Sequence, residues 1–481
     1  MFDDIVLKQI YRDKQVKFVN GLKRSYFYNA SYQLFSLFLP LLTMPYIARV
    51  LGPSSLGIHS YTAANTQYFI LVASIGITYG CQQISANRQN KYLKSQIFWE
   101  LLLLRLLISA FVIILFFIFT TYSKNIYRIY YFAQSLQIIA ITLDTSWFFQ
   151  GLEKFKLIII RNFLIRIVSA VCIFVLVKDT TDLLAYIYII SLTALICNLL
   201  LFPSLKNELE KPHIQKSNFL RHIKPAILLL LPEMVILLYV SINKTILGIT
   251  NNISAVAYFE NADRITKVLI TFITASGAVL IPRINYLYAH QKFEQIKKII
   301  NTSFLITNFL CLPISLGMLA LSKDFSLLFF SNKFSGIECF ISIDTILIII
   351  ISWSNVIGIQ FLIPTQRMKQ YFYSVTIGAF VNLLLVYPFI LIFHDIGVVY
   401  ATIIAEVAVT SYQFYTVRKH LDIQQMLLDS SKILIAAIIM FMILLYANQL
   451  LSFSIWHFVL KIVTGFFIYS SILLLVKKIV Y

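Results

Sequence analysis

The sequence predicts an all-α protein that crosses a membrane many times, and three observations support this fold class. Apolar residues make up 59% of the chain and charged residues only 13%, whereas soluble domains carry about 25% charged residues. The mean hydropathy is +0.81. Long apolar runs recur along the whole chain, and a membrane-spanning helix needs about 20 such residues. Together these observations exclude a water-soluble fold.

We predict about 14 transmembrane helices from these apolar runs. All connecting loops are short, so the sequence leaves no room for a folded domain outside the membrane. The predicted spans are 25–50, 57–80, 97–119, 127–150, 157–177, 183–203, 223–249, 254–281, 297–320, 338–362, 371–393, 396–417, 431–450 and 455–476.

The distribution of Lys and Arg predicts the orientation of the chain. With a cytoplasmic N-terminus, the inward-facing segments carry 28 of the 40 basic residues and the outward loops carry 5. Cytoplasmic loops of membrane proteins retain an excess of basic residues. We therefore expect both termini in the cytoplasm. The same rule explains the net charge of +19, so we expect no nucleic acid as a partner.

A weak internal repeat predicts two lobes. Arg49 precedes Leu51-Gly52 at the end of the first run, and Lys244 precedes Leu247-Gly248 at the end of the seventh. We therefore expect two six-helix lobes in parallel orientation, with substrate bound between them. The predicted organisation is a cytoplasmic interfacial leader at 1–24, an N-terminal lobe at 25–203, an inter-lobe loop at 204–222, a C-terminal lobe at 223–417 and two added helices at 418–481.

Two cations within the predicted spans are candidates for substrate binding. Neither Arg49 nor Lys244 has an acid three or four residues away on its own helix. A charge inside a membrane is costly and usually marks a functional site. A guanidinium and an ammonium together suit the oxygens of a diphosphate. Snorkelling to the outer interface is the alternative for both residues, and Arg166 is a third candidate.

The eighth run is the most highly charged part of the predicted spans. Its spacing predicts two i,i+4 ion pairs, Glu260 with Arg264 and Asp263 with Lys267. In each pair the acid precedes the base, which is the favourable order on a helix. These pairs form either a polar seam against other helices or the wall of a wet cavity, and the sequence leaves both alternatives open.

Four further acids within or at the edges of the spans could carry protons for coupled transport. A buried carboxyl group favours its neutral form and can therefore exchange a proton at the working pH. The sequence does not distinguish proton from sodium coupling. It contains no phosphate-binding loop and no metal-ligand spacing, so we expect neither a cofactor nor a metal. The four acids are Asp144, Glu233, Asp344 and Glu406.

Short segments over almost the whole chain carry a family resemblance. They include Tyr32-Gln33-Leu34-Phe35, Arg49-Val50-Leu51-Gly52-Pro53, Asp144, Ser146-Trp147-Phe148-Phe149-Gln150-Gly151-Leu152-Glu153, Lys244-Thr245, Ile281-Pro282-Arg283 and Pro364-Thr365-Gln366-Arg367. With these segments the chain resembles the bacterial polysaccharide-unit flippases of the multidrug/oligosaccharidyl-lipid/polysaccharide exporter superfamily. Asn243 departs from the pattern, because the resemblance leads us to expect an acid before Lys244.

The resemblance implies a two-lobed transporter of fourteen helices with a cationic central cavity in the bacterial cytoplasmic membrane. It implies alternating-access movement of an undecaprenyl-diphosphate-linked oligosaccharide from the inner to the outer leaflet for surface polysaccharide synthesis. No enzymatic reaction is implied. The expected partners are this lipid-linked substrate, bilayer lipid, a coupling ion and a polysaccharide polymerase.

Two alternative functions are less well supported by the sequence. A drug or organic-cation antiporter of the same superfamily needs an acidic central cavity, whereas the unpaired candidates in this chain are basic. A membrane-embedded glycan polymerase usually needs a substantial outward loop with catalytic residues, and the predicted outward loops are short.

Overall fold

The computed structural model describes residues 39, 41–210, 219–250 and 252–480. Over these residues the chain is helical and contains no strand, which confirms the all-α fold class. The predicted leader at 1–24 lies outside the described residues.

The described residues form seventeen α-helices joined by short turns. The helix α13 continues directly into a π-helical segment, Asn355–Leu362. The helices are α1 (41–73), α2 (Ile77–Ala86), α3 (Lys91–Tyr122), α4 (Asn125–Thr142), α5 (Ser146–Gly151), α6 (Phe155–Leu176), α7 (Leu183–Leu199), α8 (Phe202–Leu205), α9 (Ile223–Ile249), α10 (Ile253–Ala278), α11 (Leu280–Ala289), α12 (Phe293–Phe330), α13 (Ile337–Ser354), α14 (Met368–Phe393), α15 (Gly397–Val417), α16 (Ile423–Leu450) and α17 (Ile455–Val480).

Within the described part of the chain, nine helical segments are long and apolar enough to cross a membrane. The number rises to eleven if each of two bent helix pairs is one span. The protein is therefore polytopic, as predicted, and the count of fourteen spans stays a prediction. One difference concerns Pro53, which lies inside α1 and not at the predicted end of a helix. Gly52 adopts a φ of +74°, a left-handed conformation that glycine tolerates beside a proline.

The chain divides into two compact units. The first contains the described residues up to Leu51 together with Asn65–Met234, and the second contains Gly52–Ala64 and the residues from Val235 onward. This division differs from the predicted lobes because residues 52–64 belong with the second unit and α9 contributes to both. The predicted lobes (25–203 and 223–417), the inter-lobe loop (204–222) and the added helices (418–481) stay predictions.

An aromatic core holds the middle of the first unit together. Trp147 and Phe148 on α5 are fully buried, and the Trp147 ring stacks on Phe98 of α3 at 5.7 Å between ring centroids. Gly80 of α2 allows this packing, because an added Cβ would lie 2.6 Å from the Trp147 ring. The segment Ser146–Gly151, which carries part of the family resemblance, therefore has a packing role.

Two buried charged side chains of α3 form hydrogen bonds with residues at the ends of other helices in the first unit. Arg105 of α3 donates to the main-chain oxygens of Asp144, at 2.6 Å, and Ile141. These carbonyls lie at the end of α4, where a helix leaves acceptors unsatisfied. Glu100, also on α3 and fully buried, accepts hydrogen bonds from His222 at 2.7 Å and Arg221 at 3.2 Å. The residues just before α9 are thereby tied to α3.

Two glycines allow close approach within the second unit. An added Cβ on Gly57 would lie 1.8 Å from the main-chain oxygen of Ile253, which begins α10. An added Cβ on Gly248 near the end of α9 would lie 1.9 Å from the Tyr61 ring. Residues 52–64 thus pack directly against the α9–α10 connection.

We expect Gly57→Ala to lower the free energy of unfolding by about 1–3 kcal/mol, because the Ile253 backbone must shift to admit the methyl group. Gly317→Ala on α12 is the matched control, since its nearest neighbour would be the flexible Met440 side chain at 3.7 Å. Alanine has the higher helix propensity, so this control should be neutral or stabilising. Unfolding of the detergent-purified protein measures both effects, and equal stability of the two variants would contradict the packing.

A carboxylate outside the predicted spans joins three segments of the first unit. Glu208 accepts a hydrogen bond from Lys154 between α5 and α6, and another from Lys94 of α3 at 2.9 Å. The hydrogen bond from Lys154, together with that from Lys94, holds the pKa of Glu208 below its ordinary value of 4.5.

The lowered pKa of Glu208 predicts a pH-dependent contribution to stability. Because the folded pKa lies below the unfolded one, the stabilisation is complete above about pH 4.5 and is lost as the pH falls through the folded pKa. Between pH 5 and 3, the unfolding temperature of the wild type should therefore approach that of Glu208→Gln, whereas above pH 5 the difference should be constant. Glu210→Gln is the control, and a pH-independent Glu208→Gln difference would refute the prediction.

Candidate functional site

The candidate site of the second unit is built on a carboxylate that bridges two cations. Glu260 of α10 forms an ion pair with Lys244 of α9 through one oxygen. Its other oxygen accepts a hydrogen bond from Arg264 at 3.0 Å. The side chains of Lys244 and Glu260 are only 15% and 18% exposed, whereas that of Arg264 is 46% exposed.

The prediction that Lys244 lacks an acidic partner is wrong. The prediction considered only neighbours on the same helix, and Glu260 approaches from the following helix. Asn243, which departs from the expected pattern, donates a hydrogen bond to Thr402 of α15 at 3.0 Å. Glu260 therefore supplies beside Lys244 the negative charge that position 243 lacks.

Both predicted i,i+4 ion pairs on α10 are confirmed. Glu260 pairs with Arg264 at 3.0 Å, and Asp263 pairs with Lys267 at 2.7 Å. The two acids are about one-fifth exposed and the two bases about one-half exposed. Each base is thus more exposed than the acid with which it pairs.

Two further acids lie on the helices α13 and α15 of the same unit. Asp344 is fully buried, and within the described structure neither of its carboxylate oxygens has a hydrogen-bond partner. Glu406 accepts a hydrogen bond from Tyr239 at 2.6 Å. A cavity of about 160 Å³ is lined by Glu406 and Tyr239 together with Asn355 and Tyr371, whereas Asp344 does not line it. Both acids were proton-carrier candidates from the sequence.

The remaining predicted site residues belong to the first unit. Both carboxylate oxygens of Asp144 accept hydrogen bonds from Ser146, one from its main-chain nitrogen and one from its hydroxyl, each at 2.8 Å. Asp144 therefore holds the start of α5. Glu233 is exposed and accepts a hydrogen bond from Thr78 at 2.7 Å.

The two other candidate cations also lie in the first unit. Arg49 is exposed, and Arg166 is partly buried. Lys244, the predicted counterpart of Arg49, belongs to the second unit. A shared role of Arg49, Arg166 and Lys244 stays a prediction.

Sequence reasoning missed His59 as a member of the charged cluster. His59 lies in the segment 52–64 and interacts electrostatically with Glu260, Arg264 and Lys244. In the sequence the histidines were considered only as metal ligands. The sequence carries no local signal for this interaction, because His59 and Glu260 lie about two hundred residues apart.

Residues 22–288, more than half of the chain, match the protein family described as "Polysaccharide biosynthesis protein". The chain belongs to this family, and the resemblance seen in the sequence is confirmed.

Two relatives match along nearly their whole length. A protein of Escherichia coli (strain K12) named as an O-antigen transporter is 26% identical over 411 residues, which is 83% of this chain and 97% of the relative. A protein of Shigella dysenteriae with the same name is 23% identical over 387 residues, covering 79% and 96%.

Solved structures share the fold. The lipid II flippase MurJ in an inward closed conformation aligns with a TM-score of 0.72 at 16% identity, over 94% of this chain and 99% of MurJ. An inward-facing multidrug resistance MATE family transporter of the MOP superfamily aligns with a TM-score of 0.57 at 15% identity, over 79% and 95%.

We expect a double-mutant cycle of Lys244→Met and Glu260→Gln to give a coupling energy of about 1–3 kcal/mol in unfolding measurements. The reason is that Glu260→Gln leaves Lys244 without its acid in a mostly buried position, and Lys244→Met removes one of the two cations that neutralise Glu260. A control cycle of Lys267→Met and Asp263→Asn should give about 0.5 kcal/mol or less, because that pair is local and more exposed. Equal coupling in the two cycles would show that burial of the Lys244 pair has no energetic consequence.

Proposed function

We propose that this chain is a flippase that moves an undecaprenyl-diphosphate-linked oligosaccharide repeat unit from the inner to the outer leaflet. The observation that carries the proposal is the near full-length match to proteins named as O-antigen transporters. Family membership and the fold shared with a lipid II flippase support it. Intramembrane cations on α9 and α10 add support, because such charges usually mark a substrate path.

In the proposed mechanism, Lys244, Arg49 and Arg166 receive the diphosphate. Before substrate binds, the carboxylate of Glu260 neutralises Lys244 and Arg264. A diphosphate can take over both cations by displacing the carboxylate of Glu260 from them. The substrate would then replace one anion with another, which avoids leaving either cation unpaired in the membrane.

In the proposed mechanism, acidic side chains bind the coupling ion, which is a proton or sodium. Asp344 is the leading proton carrier, because it is fully buried and neither of its carboxylate oxygens has a hydrogen-bond partner within the described structure. The pair Asp263–Lys267 is a second element of the proposed path, and Asp144 and Glu233 are the candidates in the first unit. Both termini would lie in the cytoplasm, and a polysaccharide polymerase would use the translocated units.

The fold shared with a MATE transporter raises antiport of organic cations as a second candidate function. The cluster on α9 and α10 opposes it, since Lys244, Arg264 and Lys267 outnumber Glu260 and Asp263. Asp344 and Glu406 on α13 and α15 add negative charge to the same unit, so the stronger argument against the antiporter is the match to proteins named as O-antigen transporters.

We expect Lys244→Met to lower the rate of outward movement of a fluorescent diphosphate-linked oligosaccharide in proteoliposomes by at least about tenfold. The reason is the loss of a partner for a desolvated anion, for which costs of about 2–5 kcal/mol are typical. Asp344→Asn should make the rate independent of pH, because it removes the proposed proton carrier. Lys298→Gln at the start of α12 is the control for the loss of one positive charge.

Wild-type rates in both Lys244→Met and Arg49→Ala would overturn the binding roles. Movement of a cationic dye without movement of the glycan lipid would favour the antiporter. Chain elongation in the same vesicles would instead indicate a polymerase.

A further inference from the structure

A groove on the first unit has a chemistry that the proposed transport path does not use. It lies between α6 and the end of α7 and has a volume of about 890 Å³. Its long wall is an apolar stripe on α6 that includes Leu157, Leu164 and Val168, and Leu200 lies on the other side. Leu164 is 56% and Leu200 54% exposed, so the groove opens on the surface of the unit.

The end of the groove at which α6 begins is cationic. Lys154, Lys156 and Arg161 line this end. Lys154 is engaged by Glu208, whereas Lys156 is exposed and forms no ion pair within the part of the chain that the structure describes. No acid is among the residues that line the groove. The end therefore carries uncompensated positive charge.

Arg161 provides a second observation that points to a ligand. Its Nε and Nη2 donate to the side-chain oxygen of the adjacent Asn162, at 3.0 and 2.6 Å. Its Nη1 is buried and has no hydrogen-bond partner among the described residues. A buried donor without an acceptor is unfavourable, so the described part of the chain leaves Arg161 incompletely satisfied at the cationic end of the groove.

The length of the groove matches one leaflet. Lys154 and Val168 are separated by fourteen residues, or about 21 Å along a helix that rises about 1.5 Å per residue. A leaflet with its headgroups is about 20–22 Å thick, half of a typical bilayer. A groove that begins with cations at the interface and continues as an apolar channel suits an amphiphile with an anionic head.

We propose that this groove binds one anionic glycerophospholipid from the leaflet at which α6 begins. The phosphate contacts Lys156 and Arg161, and one acyl chain follows the stripe from Leu157 to Val168. Basic pockets between membrane helices are typical sites for anionic headgroups. The lining contains no aromatic ring and a single hydroxyl, that of Ser204, so it offers no surface for sugars. This composition favours a phospholipid over a glycan-bearing lipid.

The test is phospholipid binding to the purified full-length chain in a neutral detergent, counted by native mass spectrometry. The wild type should bind one phosphatidylglycerol at least tenfold more tightly than phosphatidylcholine. The double variant K156Q/R161Q should bind phosphatidylglycerol about 30-fold more weakly, because a basic residue near an anionic headgroup contributes about fivefold. The double variant should then no longer discriminate between phosphatidylglycerol and phosphatidylcholine.

Two further variants separate charge from shape. K297Q/K298Q removes the same number of charges from α12 and should keep the wild-type affinity. L164W fills the groove at an exposed position and should weaken phosphatidylglycerol binding although all charges remain. An unchanged unfolding temperature confirms that L164W is folded, so the proposal stays testable if K156Q/R161Q does not fold.

Three results would overturn the proposal. One is wild-type affinity for phosphatidylglycerol in both K156Q/R161Q and L164W. Another is equal affinity of the wild type for the two phospholipids. The third is displacement of phosphatidylglycerol by a lower concentration of undecaprenyl diphosphate, which would assign the groove to the lipid carrier. None of these results depends on whether the chain transports an oligosaccharide.

Discussion

The need to neutralise charge within an apolar environment governs the polar contacts of this protein. Lys461 of α17 is 1% exposed and forms an ion pair with Asp324 of α12 at 2.7 Å. Lys244 of α9 forms an ion pair with Glu260 of α10. Arg105 donates to the carbonyls at the end of a neighbouring helix and also interacts electrostatically with Asp144. An ion pair costs much less to bury than a lone charge, so each contact also fixes which helices are neighbours.

The sequence predicted well what depends on composition and on neighbours along one helix. The scarcity of charge predicted the all-α membrane fold, and helical periodicity predicted the pairs Glu260–Arg264 and Asp263–Lys267. Contacts between different helices could not be predicted from the sequence. The partner of Lys244 is sixteen residues away on another helix, and nothing in the local pattern distinguishes Glu260 from other acids.

The sequence also could not reveal that the boundary between the two compact units lies within α1, between Leu51 and Gly52. Gly52-Pro53 looks like the end of a helix, because proline removes a hydrogen-bond donor and restricts the residue before it. Glycine at a φ of +74° allows helical residues on both sides instead. The residues that follow then pack on the second unit, where Gly57 and Gly248 leave no space for a side chain. His59 reaches the charged cluster for the same reason.

The assignment of residues 52–64 to the second unit has a consequence for biosynthesis. Their packing partner Ile253 is translated almost two hundred residues after Gly57, which takes about 10–40 s at roughly 5–20 residues per second. During this time residues 52–64 have been synthesised, whereas their packing partners on α9 and α10 have not. The nascent first half must therefore keep this segment in a provisional arrangement, and the second unit cannot be completed from a polypeptide that starts at Val235.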